Sequence, residues 1–226
     1  MSVDAWAALA TSVIAAWLGL VFTRHYLERR LRPSLWWSLS FWLIAVGTAL
    51  QWLALVSGTF SPVSYRTYVV VAAAIPATMG AGSMFLLWKR WAWPYLAVIL
   101  VVLELMVMGA AGSPLNPSAL RQVLLASREV TRVLPSGLVI AGFAILGTLG
   151  GAALVAGALL SWWRTRKFAH LELALGGIVF SLADTLAAYG IPALFYASEV
   201  LGILLIYLAV APPVRSAARP TRSAAP

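Results

Sequence analysis

Three carboxylic acids and one amide stand where a polypeptide rarely puts them. Glu104, Asp184, Glu199 and Gln51 each fall inside a long apolar stretch. Such side chains cost free energy at membrane depth unless they are paired or hydrated, so they point to proton exchange, cation binding or a polar ligand pocket. With a rise of about 1.5 Å per residue, all four lie about 3 to 8 Å outward of the middle of their stretches. Four separate segments therefore bring polar groups to one level. Ser181 shares a helical face with Gly177, Asp184 and Ala188, Tyr196 stands a turn from Glu199, and Arg66, near the outer mouth of its stretch, is the nearest cation. The competing reading is that each acid bonds privately to a carbonyl or hydroxyl of an adjacent helix.

Other chemistries are excluded by what is missing. A retinal Schiff base needs a lysine amine inside the bundle, and the two lysines, Lys89 and Lys167, fall in short polar connections. The chain is therefore not a retinal-binding rhodopsin. It has no cysteine, which removes disulfides, thiolate nucleophiles and cysteine metal sites. Two histidines cannot supply three imidazole ligands. Neither G-x-S-x-G, H-E-x-x-H nor a P-loop occurs, so no catalytic residue, metal or cofactor is expected. His25, His170 and Glu172 read as interface residues near Arg164, Arg166 and Lys167.

The elements that must position the acids are spanning helices. The chain of 226 residues is 62% hydrophobic and 10% charged, too apolar for a soluble core. Apolar runs predict helices at about 5–23, 35–57, 64–88, 92–111, 136–161, 170–190 and 192–211. The fold class is all-α: one membrane domain of seven helices over 1–211, then a disordered basic cytoplasmic tail over 212–226. A Tyr189-Gly190-Ile191-Pro192 turn divides the last two helices. The first helix lacks the basic leader of a signal peptide and reads as an uncleaved span.

Orientation follows from charge. Twelve lysines and arginines fall in one set of connections and four (Arg66, Arg121, Arg128, Arg132) in the other, which predicts an outside N-terminus and a cytoplasmic C-terminus. Trp36, Trp37, Trp88, Trp91, Trp93, Trp162 and Trp163 fall at the same cytoplasmic boundary. The net charge of +9 is thus a topology signal, and no nucleic-acid partner is expected. Between the fourth and fifth spans, Asn116-Pro117 predicts the cap of a short amphipathic outer helix carrying Arg121, Arg128 and Arg132. Pro76 predicts a kink beside a cavity. Gly147, Gly151, Ala153 and Gly157 give the fifth span small-xxx-small spacing, suited to close packing within the chain or to a homodimer face. Spans one to three and five to seven could form two halves around the fourth.

Two resemblances add to this. Arg32-Pro33 with Trp36-Trp37, then Tyr65-Arg66-Thr67-Tyr68, then Gly80-Ala81-Gly82-Ser83 before Leu86-Leu87 resembles a group of small bacterial seven-helix integral membrane proteins. That likeness implies a bacterial inner-membrane protein and no particular activity. Locally, Phe180-Ser181-Leu182-Ala183-Asp184-Thr185-Leu186 is similar to an aspartate-bearing helix of lysoplasmalogenase-like membrane proteins. The likeness implies an intramembrane lipid hydrolase, but the matching earlier aspartate motif is missing. The expectation is an outward-facing acidic pocket for transport or sensing of a small ligand, a proton or a cation. The alternative is a non-catalytic accessory subunit docking on a membrane-protein partner, with membrane lipids around it in either case.

Overall fold

The computed structural model describes residues 2–120, 130–187 and 192–210, without the side chains of 131, 182–187, 192–194 and 210. Among the described residues the chain is all-helical, with no strand. The long helices are α1 (Val3–Arg29), α2 (Arg32–Ser57), α3 (Pro62–Leu87) and α4 (Lys89–Gly112). After the four-residue helices α5 (Pro117–Leu120) and α6 (Val130–Val133) come α7 (Gly137–Thr165), α8 (Phe168–Ala187) and α9 (Pro192–Val210). Helices α1, α2, α3, α4 and α7 are long and apolar enough to cross a membrane; α8 and α9 carry shorter apolar segments. Exposed Trp6, Val13, Trp17, Leu53, Leu100 and Val101 leave a surface that water would not tolerate and lipid would. These features suggest a membrane-embedded helical bundle.

The helix ends follow local chemistry. The hydroxyl of Ser2 accepts from Ala5 N–H at 3.3 Å, and that of Ser61 accepts from Ser64 N–H at 3.1 Å, with Pro62 opening α3. Asn116 Oδ1 accepts from the N–H groups of Ser118 (3.2 Å) and Ala119 (3.4 Å), so the expected cap before Pro117 is present. The rest of the expected amphipathic helix, with Arg121 and Arg128, lies outside the described residues, as do the turn at 188–191 and the tail from residue 211. The basic ends run further than hydropathy indicated. Arg29, Arg32 and Lys89 are helical, and Trp88 alone joins α3 to α4. Lys89 is therefore not in a connection: it opens α4, where an apolar stretch continues into a polar first turn.

Two connections are copies of one another. Each is two residues long and starts with an arginine in the left-handed region, Arg30 at φ 53° and Arg166 at φ 54°. In both, the arginine N–H donates to the carbonyl four residues back, that of Tyr26 or Trp162, and its guanidinium covers that residue's ring at 5.9 or 5.1 Å. They are the only non-glycine residues with positive φ among those described.

The packing has the same two-part symmetry. α1 packs on α2, α2 on α3, α3 on α7, α7 on α8, α8 on α9 and α9 back on α1. Exchanging α1–α3 with α7–α9 maps this ring onto itself. The expected halves thus exist as a packing pattern, but not around the fourth span. α4 lies outside the ring against α3 and α7. Its most apolar window is 28% buried, against 67% for α3. α3 is the inner element, and glycine makes this possible. A Cβ on Gly150 of α7 would overlap the backbone of Pro76 on α3. Gly80 gives room to the Tyr95 hydroxyl, which donates to the Ala77 carbonyl at 3.0 Å, and Gly82 gives room to the Trp37 indole. Hydroxyls tie the helices across the bundle. Ser12 donates to the Ala45 carbonyl (2.8 Å) and Ser40 to Thr78 Oγ1 (2.9 Å).

Candidate functional site

Antiparallel alternation gives the bundle two unlike ends. One carries the serine and asparagine caps. The other gathers the arginines and tryptophans, where Arg32 covers Trp93 at 5.1 Å, Arg90 covers Trp91 at 5.5 Å and Arg166 covers Trp163 at 5.2 Å. Each end leads to a polar region.

In the half nearer the serine-capped end, Gln51 of α2, Tyr68 of α3 and Glu199 of α9 line one void. All three are buried, at 2%, 5% and 6% exposure. Gln51 Nε2 donates to the Tyr68 hydroxyl at 2.8 Å, while Gln51 Oε1 has no hydrogen-bond partner. The void measures about 20 Å³, enough for roughly one water. Thr48 and Ala72 also line it. Pro76 has no N–H, so the Ala72 carbonyl lacks the donor that a regular helix would supply four residues later. Beside it, Tyr196 packs edge-on to Phe195, 5.1 Å between ring centres, and in one apolar cluster with Ala8 and Trp52. The Tyr196 hydroxyl and Trp52 Nε1 are buried without hydrogen-bond partners. Buried polar atoms in such a state mark places that take water or change partners.

The remaining expected residues do not converge there. Glu104 is exposed on α4, because α4 stands outside the ring. Ser181 is exposed on α8, and its hydroxyl donates to the Gly177 carbonyl of its own helix at 2.8 Å. Arg66 Nη2 donates to the Ser113 carbonyl at the end of α4 at 2.8 Å, so this guanidinium ties α3 to α4 instead of facing the acids. Asp184 belongs to α8, with its side chain outside the described residues. Among the described residues no group of three histidine, aspartate or glutamate side chains could hold a metal.

At the basic end a cavity of about 420 Å³ opens between α1, α2, α3, α4, α8 and α9. His25, Lys89 and His170 line it, each from a different helix, over walls that include Phe22, Trp37 and Phe85. Residue order alone gave these basic residues only an interfacial role. The missed signal was that all three lie at helix ends which alternate topology must bring together. Tyr68 was missed as a site residue for the converse reason: nothing in the sequence aims its hydroxyl at Gln51.

Comparison with protein-family models, with curated proteins and with solved structures finds no match.

Proposed function

We propose that this chain is a seven-span protein of a bacterial inner membrane, N-terminus outside and C-terminus cytoplasmic, whose transport or sensing role is linked to proton exchange at Glu199. The supporting observation is the meeting of Gln51, Tyr68 and Glu199, from three helices, around a void the size of one water. That volume suits a proton on water better than an organic ligand. An acid at membrane depth beside a tyrosine and an amide has the parts of a proton relay. The twelve-to-four division of lysines and arginines supports the orientation, and the apolar segments of α8 and α9 support counting them as the sixth and seventh spans.

Infrared difference spectroscopy on the protein in lipid, across a pH series, tests this reading. Glu199→Gln should remove a titrating carboxylic-acid carbonyl band that Glu104→Gln leaves in place. An unchanged spectrum in Glu199→Gln would refute it.

A second reading, an accessory subunit or homodimer, is favoured by a different observation. Glu104 sits among exposed Leu100, Val101, Leu105 and Met108, an acid on a face that would otherwise meet lipid. On α7, which packs against α4, Gly147 and Gly151 are open, with nothing where a Cβ would point. If a partner helix covers this surface, Glu104→Leu will abolish copurification of a stoichiometric partner or dissociate a dimer. Unchanged mass in native spectrometry would remove this reading.

A further inference from the structure

The geometry points to the basic-end cavity as a binding site for a phosphate-bearing ligand, its anion held by His25, Lys89 and His170 and its apolar part lying on Phe22, Trp37 and Phe85. This site is separate from the Glu199 cluster and does not rest on the proton-exchange reading. The cavity has about 420 Å³ of space, within the usual size of small-molecule pockets, roughly 300 to 1,000 Å³. It is also mixed in character, with a lysine and two imidazoles at its rim and aromatic walls beneath.

The polar groups are uncommitted. Lys89 is exposed, His25 and His170 are half-buried, and none of the three side chains hydrogen-bonds to a described residue. No acidic side chain lines the cavity, although Glu28 and Glu172 are close in sequence to the two histidines. Ser34, at 6% exposure, adds a hydroxyl to the lining that likewise makes no hydrogen bond within the described residues. A hydroxyl on the cavity wall can donate to an acceptor placed there. Two imidazoles, an ammonium and a hydroxyl suit the several oxygens of a phosphate, which accept charge-assisted hydrogen bonds. The arginines nearby do not compete for the role, since Arg30, Arg32, Arg90 and Arg166 are spread over aromatic rings.

The phosphate has two sources, a lipid headgroup or a soluble anion, and one experiment separates them. The full chain is placed in nanodiscs of phosphatidylcholine. It is then titrated with brominated phosphatidic acid, read by tryptophan quenching, and with inorganic phosphate, read by phosphorus line broadening. Lys89→Gln, His25→Gln and His170→Gln should each weaken binding about tenfold, as the loss of one charge-assisted bond requires. Ser34→Phe, which fills the cavity, should abolish it. Saturation by phosphatidic acid alone assigns a lipid, and saturation by both assigns the anion itself. Lys89 is exposed, so Lys89→Gln keeps the fold and remains informative if Ser34→Phe does not fold. Equal binding by wild type and Lys89→Gln in both titrations would overturn the assignment, as would equal quenching by a brominated diacylglycerol, which has the chains without the phosphate.

Discussion

The two polar regions of this bundle differ in almost every respect. At Gln51, Tyr68 and Glu199 the helices close on a space of about 20 Å³, lined by an acid and neutral donors. At His25, Lys89 and His170 they surround about 420 Å³, lined by an ammonium and two imidazoles. The difference traces to what fills the gaps. Near the cluster, α3 is drawn against its neighbours by Gly150 on Pro76 and by the Gln51 bond to Tyr68. At the basic end, large rings stand between the helices. Trp36 stacks on Phe85 at 6.3 Å, Phe85 meets Trp93 edge-on at 5.5 Å, and Trp37 occupies the room over Gly82. A short polar bond crosses the small void, and Phe22, Trp37 and Phe85 wall the large one.

Substitutions can break or sharpen this contrast. The largest effect is expected from Gly150→Leu, which drives a side chain into the Pro76 backbone and should cost about 3 kcal/mol, the upper end for overpacking. Thermal unfolding in detergent measures it, and Gly151→Ala, whose new methyl meets nothing, is the matched control. Next comes Tyr68→Phe, which strips Gln51 of its acceptor and leaves a buried amide unpaired. The expected cost is about 2 kcal/mol, and failure to see it would mean the bond does not hold the cluster. Tyr95→Phe removes only the bond to the Ala77 carbonyl, worth about 1 kcal/mol by the same measurement. Smallest is Glu104→Gln in the isolated chain, within about 0.5 kcal/mol, as for exposed positions away from any contact.

The meeting of Gln51 and Glu199 could be read from the sequence, and the outward direction of Glu104 could not. Counting residues along each apolar stretch brings Gln51, Glu104 and Glu199 to one level, since the rise per residue is constant. Which way each points depends on its helix's neighbours. A helix facing lipid is as apolar on its outside as on its inside, so nothing in residues 89–112 marks α4 as the outlying element or turns Glu104 outward. The cap at Asn116 before Pro117 and the start of α9 at Pro192 were readable in the sequence. Helix ends were misjudged at Arg29, Arg32 and Lys89, because hydropathy registers the charge but not the continuing backbone. The repeated arginine turns were hidden for another reason: Arg30-Leu31 and Arg166-Lys167 share a conformation more than a composition.

The chain has no cysteine, so single thiols can compare the two regions directly. A permeant maleimide should modify His25→Cys, at the basic cavity, faster than Gln51→Cys, in the closed cluster. A tenfold ratio would correspond to about 1.4 kcal/mol of extra opening cost at the cluster. A ratio of at least that size is the expected result, and equal rates at the two positions would contradict it.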